Sequence, residues 1–249
     1  MTFDELKEKA HALPLKPGVY IMQNAKNEVI YVGKAKALKN RVSQYFANLA
    51  SHTEKTRAMV SAIDHFDVIV VGSEFEALVL ECALIKRHQP KYNILLKDAK
   101  GYPYIRLTVK EDYPKFNLTN KVAEDGARYF GPYGGRGSSY AIIDSLLETF
   151  RLPSCNKKFP RDIGKERPCL NYHMGKCDGY CRRDMDQSRY KESMDQIIRL
   201  LEGKRSEVVA DLTAQMEQAA QDLRFEQAAA LRDRIRAVEL LSQRQRAGG

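Results

Sequence analysis

Near the start of the chain, two short apolar runs, Val19 to Met22 and Val29 to Val32, flank the polar stretch Asn24-Ala25-Lys26-Asn27 and follow a Pro17-Gly18 break. β-Branched and aromatic residues on both sides of a polar turn predict a hairpin. Alternation sets Tyr20 and Tyr31 out of step with the purely aliphatic positions, and Gly33 is expected to end the second strand ahead of a helix rich in Lys and Arg. Along that helix Leu38, Val42, Tyr45 and Phe46 recur at helical spacing and should face a core, with Lys34, Lys36, Lys39 and Arg41 on or near the other faces. The expected product is a polar pocket of phenols beside fixed cations. A short opening helix, capped by Thr2 or Asp4 and apolar along Phe3, Leu6 and Ala10, should stop at Pro14 and Pro17.

Further on, Ser51-His52-Thr53 reads as loop and cap before a helix with Met59, Val60 and Ile63 inward. Phe66 to Val71 is almost continuously apolar, as in a strand buried on both faces or central in a small sheet, which makes the region α/β. Ser73, with Glu76 three residues later, predicts a capping box and a helix to about His88, with Leu80 and Leu84 inward. On it Glu81 sits among Leu78, Val79, Leu80, Cys82, Ala83, Leu84 and Ile85. A carboxylate in so apolar a run needs a partner, a metal or an exposed face, since burying it alone costs several kcal/mol or forces protonation. Cys82 reads as core packing.

From Tyr102 the pattern turns to strands: Tyr104 to Val109, Phe116 to Val122 and Ala127 to Phe130, the last two joined around Asp125-Gly126 and all expected to extend or abut the first sheet. Polar connections are expected over Lys97 to Lys100 and in the glycine-rich Phe130 to Ser139, where Arg136 would approach a phosphate backbone or simply lead into a helix from Tyr140 to Phe150. Four of the five cysteines, Cys155, Cys169, Cys177 and Cys181, then crowd into one segment, which is not a core distribution. Thiolates there suit zinc or an iron–sulfur cluster, and the spacing alone does not choose. His173 is a possible substitute ligand or a residue facing DNA or solvent. Beyond Asp184 the chain is helical: Tyr190, Met194, Ile197, Ile198 and Leu201 give one apolar face, and Val208, Leu212, Met216 and Ala219 continue it past Gly203. Phe225, Ala228, Ala229, Leu231, Arg232, Ile235 and Val238 make a second stripe, predicting a helical hairpin that dimerises, docks on a partner or folds back on its own domain.

The 249 residues suffice for one large or two small domains, and 43% hydrophobic residues for a real core. No apolar run approaches a membrane span and the first residues do not follow signal-peptide order, so a cytoplasmic location is expected. That compartment disfavours a disulfide framework. A net charge of +9 favours a polyanionic partner.

Gly18-Val19-Tyr20, Tyr31-Val32-Gly33 and Arg41 resemble the GIY-YIG nuclease motif, with Val32 where Ile is usual. PGVYIM, IYVGKAKALKNRV and YNILLKD narrow the resemblance to the amino-terminal half of UvrC-type proteins, the incision subunits of bacterial nucleotide excision repair. The resemblance implies a metal-dependent endodeoxyribonuclease cutting on the 3′ side of a lesion in damaged duplex DNA. Its site would comprise Tyr20, Tyr31, Lys34, Arg41, Asn93 and Glu81, the last holding one Mg²⁺ or Mn²⁺ ion. Tyr31 would deprotonate or orient the attacking water, its pKa lowered by Lys34. Lys34, Lys36, Lys39 and Arg136 would meet DNA. RPCLNYHMGKCDGYC resembles the family's cysteine segment, which implies a [4Fe–4S] cluster on Cys155, Cys169, Cys177 and Cys181, with zinc as the alternative. MEQAAQDLRFEQAAALRDRI resembles the UVR motif, implying a UvrB-like partner.

The expected organisation is a GIY-YIG domain over 13–95, a β-rich connection over 96–153, a cysteine segment over 154–183 and a helical region over 184–249, with the UVR hairpin at about 205–240. Complete UvrC proteins continue into an RNase H-like nuclease and helix–hairpin–helix motifs, which nothing after Gln243 supplies; a shortened chain and a natural short homologue read alike. Two other readings stand beside the nuclease: a non-catalytic DNA-binding or recruitment module, and a structural metal-binding interaction protein without DNA affinity.

Overall fold

The hairpin forms where alternation predicts it. In the computed structural model, which describes residues 1–97 and 101–241, β1 (Gly18–Gln23) pairs antiparallel with β2 (Val29–Ala35). Asn24 shapes the turn, its side-chain oxygen accepting from the Lys26 and Glu28 amides at 3.0 Å, and Asn27 takes the left-handed conformation at φ 62°. The second strand does not end at Gly33. Gly33 lies opposite Tyr20 and pairing continues to Gly18 and Ala35.

A third strand, β3 (His65–Val70), pairs with the other side of β1, giving the order β2-β1-β3. The expectation of a doubly buried or central β3 is therefore corrected: β1 is central and β3 is an edge on which Phe66 is buried while Ile69 and Val70 are exposed. A continuous apolar run marked a strand correctly but not its position in the sheet.

One face of the sheet packs against α1 (Phe3–His11), α2 (Leu38–Tyr45) and α3 (Glu54–Ala62) around Leu6, Met22, Val42, Phe46, Met59 and Phe66. Each such side chain removed from water contributes about 1.5–3 kcal/mol. Thr2 and Glu5 form a reciprocal capping box on α1, and Thr53 caps α3. The other face carries α4 (Glu74–His88), whose Ala77 meets Val19 and Val32, with Leu80 and Leu84 packed around them. Ser73 caps α4, accepting from the Glu76 amide, but the Glu76 carboxylate reaches one residue further back, to the Gly72 amide at 2.9 Å. α5 (Lys91–Lys97) follows; the last three residues of the connection expected over Lys97 to Lys100 lie outside the described residues.

Contacts divide the chain into two compact units, one up to Gly101 and one from Tyr102 to Leu241. The second has its own sheet of β4 (Tyr104–Leu107), β5 (Phe116–Thr119) and β6 (Arg128–Phe130), ordered β5-β4-β6. Thus β5 and β6 are not paired with each other around Asp125-Gly126; both pair with β4, and the sheet does not extend the first one. α6 (Arg136–Thr149) begins four residues before the expected Tyr140, with Gly135 as its cap and the Ser139 hydroxyl donating to the Gly135 carbonyl at 3.0 Å.

After the short α7 (Leu170–His173) come α8 (Ser188–Leu201), α9 (Arg205–Gln221) and α10 (Phe225–Leu241). Gly203, at φ 80°, separates the first two of these long helices. The α9–α10 hairpin folds back on its own unit midway along α10: Arg234 stacks 5.2 Å from the Phe150 ring centre and lies 3.6 Å from the Asp178 carboxylate. At its tip Leu223 and Phe225 are 73% and 64% exposed, so Phe225 does not join the buried stripe expected of it.

Candidate active site

The strand pairing that sets Tyr20 opposite Gly33 also lays the tyrosine ring over the glycine. A Cβ added at Gly33 would fall 2.2 Å from Tyr20 Cζ, and one at Gly18 would fall 2.5 Å from the Ile69 carbonyl oxygen and 2.6 Å from a Leu38 methyl. Both motif glycines are therefore required by close approach rather than by turn geometry.

Tyr20 is fully buried, and its hydroxyl shares a 2.7 Å hydrogen bond with that of Tyr45 from α2. The Tyr31 ring completes the cluster at 6.1 Å from Tyr20 and 6.4 Å from Tyr45. Arg41, one helical turn before Tyr45, lies 5.2 Å from that ring's centre. Burial works against the Arg41 charge, yet the phenol oxygens of Tyr20, Tyr45 and Tyr31 more than offset it and its pKa is raised. Tyr45 was expected only to fill the core. Its place beside Arg41 is a site residue that sequence reasoning missed; a phenol four residues after the arginine on one helix was the available signal.

Tyr31 corrects a second expectation. Burial pushes its pKa well above that of a free phenol, Tyr45 and Glu81 push it further, and Arg41 opposes them; Lys34 is not among the influences. Tyr31 is a neutral phenol here. Tyr20 is pushed the same way, first by burial and then by Tyr45 and Tyr31.

On the α4 side of the sheet, Lys34 pairs across from Val19. Its ammonium lies 4.0 Å from Glu74. Glu81 is half-buried, and burial pushes its pKa up to about 7, with Lys34 pulling the other way. The acid and the phenols thus approach one another around β2, an edge strand.

That edge is held by Asn93 from α5. Its side-chain oxygen accepts from the Val32 amide at 2.7 Å, and its side-chain nitrogen donates to the Val32 carbonyl at 2.8 Å. The structure places Asn93 as a clamp on the site strand. Lys36 is exposed and Lys39 half-buried on the same basic segment, while Arg136 belongs to the second unit, where it stacks on Tyr140 at 5.6 Å and donates to its hydroxyl.

For a divalent ion the donor set fits: Glu81 is a desolvated carboxylate whose cationic neighbour is turned toward another acid. For a cysteine-held group the fit is poor. Cys177 and Cys181 are buried, whereas Cys155 and Cys169 are exposed, Cys169 as the cap of α7. Among the described residues no group of three or more His, Cys, Asp or Glu side chains is gathered to hold a metal. Cys177 sulfur instead accepts from the Gly179 amide at 3.4 Å, and His173 is exposed against Tyr172. A cavity of about 740 Å³ lies at the turn end of the hairpin, lined in part by Asn24, Asn27, His88 and Tyr92.

Three family models match consecutive stretches: the UvrC-like GIY-YIG domain over residues 16–94, the UvrC/Cho excinuclease middle domain over 102–200 and the UvrB/uvrC motif over 206–241. UvrABC system protein C of Ruminiclostridium cellulolyticum is 52% identical over 242 residues, covering 97% of this chain and 40% of the relative. The protein of that name from Acetivibrio thermocellus is 47% identical over 245 residues, covering 97% and 39%. The chain thus spans about two fifths of the length of the curated relatives it matches. Among solved structures, the GIY-YIG N-terminal endonuclease domain of UvrC from Thermotoga maritima, bound to its catalytic magnesium, is 43% identical, covering 37% of this chain and 99% of that one with a TM-score of 0.34. Taken in order along the sequence, the three matches leave little of it unassigned, and they place the chain in the UvrC family.

Proposed function

We propose that this chain is a metal-dependent DNA endonuclease of nucleotide excision repair, acting in the cytoplasm with a UvrB-like partner to incise damaged duplex DNA 3′ to the lesion. The observation that carries the reading is the half-buried Glu81 carboxylate, with a pKa near 7, meeting the Tyr31–Arg41 cluster around one strand edge.

Glu81 would hold a Mg²⁺ or Mn²⁺ ion, whose chemistry would be to neutralise charge developing in the reaction. Arg41, its fork exposed and its charge supported by three phenols, grips the scissile phosphate. Tyr31, as a neutral phenol, accepts a hydrogen bond from the attacking water and orients it; the raised pKa makes it an aligning group rather than a standing base. Tyr20 and Tyr45 fix the Tyr31 ring, and Tyr20, being fully buried, acts without touching substrate. Asn93 holds the strand that carries Tyr31 and Lys34. Lys34, Lys36, Lys39 and Arg136 supply phosphate contacts, with an expected loss of DNA affinity as salt rises.

The test is incision of a lesion-bearing or nicked duplex with Mn²⁺. Replacing Glu81 with Gln should lower the rate by about a thousandfold or more, the scale of losing metal-assisted charge stabilisation, and leave the far-UV spectrum unchanged. Unaltered cutting by that variant would remove Glu81 from the site.

The UvrB-like partner is assigned to the exposed Leu223–Phe225 tip of the α9–α10 hairpin, where a complementary hairpin would cover both side chains. A [4Fe–4S] cluster on Cys155, Cys169, Cys177 and Cys181, or zinc in its stead, is supported by their crowding into one segment and by the amide directed at the Cys177 sulfur. The outward placement of Cys155 and Cys169 weighs against it, and no catalytic step is assigned to it. A broad absorption near ~400 nm with iron in the anaerobic protein would establish the cluster.

A further inference from the structure

The cavity at the turn end of the hairpin takes no part in the proposed reaction, yet it adjoins the site on two elements. Strand pairing steps from Met22–Tyr31 to Gln23–Val29, so Ile30 is an extra residue in β2, and Val29 and Ile30 line the cavity just before Tyr31. From α5, Tyr92 lines it too, and the next residue, Asn93, clamps Val32. At about 740 Å³ the space is of ligand size. Asn24 and Glu28 are occupied in holding the turn, hydrogen-bonded to each other at 3.2 Å. Among the described residues, the side chains of Gln23 and Asn27 and the Tyr92 hydroxyl make no hydrogen bond. Amides that both donate and accept suit the edge of a nucleobase, and a half-buried phenol ring suits its face. Cationic groups stand beside them: the Lys91 ammonium lies 5.5 Å from the Tyr92 ring centre, and the last turn of α4, which carries Lys86 and Arg87, contributes His88 to the lining. Such groups suit the phosphates that flank a base.

We propose that this cavity is a nucleobase subsite: it receives an unstacked base of the cleaved DNA strand, with Tyr92 stacking on the base, Gln23 and Asn27 contacting its edge and Lys91 meeting its phosphate. The inference rests on the reading of the chain as a DNA nuclease. It deepens that reading, because a base seated next to Tyr31 on β2 fixes which phosphate is presented to Arg41.

The experiment is equilibrium binding of the full chain, without divalent metal, to fluorescein-labelled duplexes with a short single-stranded gap, each probe of the set lacking the base of a different gap nucleotide. Wild type should bind one abasic probe about tenfold more weakly than the complete probe, the scale of one base–aromatic stack. Tyr92→Leu should weaken binding of the complete probe by a similar factor and bind that abasic probe as wild type does, because ring and base act as a pair. Tyr92→Phe should retain most of the affinity. Asn27→Gly, which keeps the backbone at φ 62°, should weaken the complete probe about threefold and leave the abasic one unchanged, so the test stands even if Tyr92→Leu fails to fold. Equal losses on complete and abasic probes, or no loss on either, overturn the subsite alone. Free deoxynucleoside monophosphates bound as tightly as the gapped duplex, and released by Tyr92→Leu, make the cavity a small-nucleotide site and overturn it as well. If wild type binds no probe, the nuclease reading fails and the subsite with it.

Discussion

Around Tyr20 the functional groups are fixed by strand pairing and buried rings, whereas around Cys177 the neighbouring elements are tied by charge. Asp178 stands at the centre of the second arrangement, 3.0 Å from Arg151, 3.6 Å from Arg234 and 4.0 Å from Arg189, joining the end of α6, the start of α8 and the middle of α10 to the cysteine loop. Arg234 is deeply covered, and burial pulls its pKa down against the support of Asp178 and Tyr180. A dry network of rings is indifferent to ionic strength, whereas the exposed arms of the hub, Arg151 and Arg189, are screened by it. The Tyr20 cluster and the Asp178 hub are held by different forces and should fail under different insults.

The strongest way to break the first arrangement is Gly33→Ala. With a methyl carbon 2.2 Å from the Tyr20 ring and no route past it, the strand or the ring must move, and the first unit should lose about 3 kcal/mol or more. Hydrogen exchange should show that loss in β1, β2 and α2 and none in α9 or α10. Asp178→Asn should do the converse. It leaves Arg234 covered and without its carboxylate, which costs about 3 kcal/mol when a buried pair loses one member, and α10 should exchange faster while β1 and β2 stay protected. Raising salt should narrow only the part of that gap carried by the exposed Arg151 and Arg189 and leave Gly33→Ala unchanged.

Asn93→Ala removes both bonds to Val32 at once, a loss of about 2 kcal/mol for two partly covered backbone groups. Because β2 carries Tyr31 and Lys34, incision should fall further than stability alone accounts for, seen as a lower kcat at a temperature where the fold is intact.

The same comparison can be sharpened by pH. Glu81 has a folded pKa raised to about 7 from 4.5, so between those values the folded chain keeps a proton that the unfolded chain has released. The metal-free protein should therefore lose stability as pH rises through that window and no more beyond it. Glu81→Gln should abolish this slope, and Mn²⁺ binding should strengthen across the same window as the carboxylate ionises. A metal-free unfolding midpoint that rises between pH 5 and 7 because of Glu81 would contradict the assignment of its burial.

Much of the first unit was legible because its pattern is local: the turn at Asn24 to Asn27, the Ser73 cap and the apolar positions of α2 all act within a few residues. The fate of Phe66 to Val71 was not, since an apolar run says that a strand will be covered somewhere but not which neighbour covers it. The site residues were legible as types and not as states. Tyr31 was expected to be made acidic by a nearby lysine, but burial and Glu81, contributed from a distant helix, drive it the other way. Tyr45 escaped because a buried aromatic residue at core spacing looks the same whether or not its hydroxyl faces another phenol. The cysteines crowd together in sequence, yet nothing in their spacing fixes which side chains turn inward, and in the structure only Cys177 and Cys181 do so within that segment.

The grip on Arg234 gives the last helical pair a mechanical character. Phe225 lies nine residues before it on α10, a separation of about 14 Å along a helix axis. The hairpin is a short lever whose bearing sits at Asp178 and whose working end is the apolar tip. A tilt of about 5° at the bearing displaces that end by only about 1 Å over such a length, so under the proposed docking a partner would meet Phe225 at a nearly fixed station.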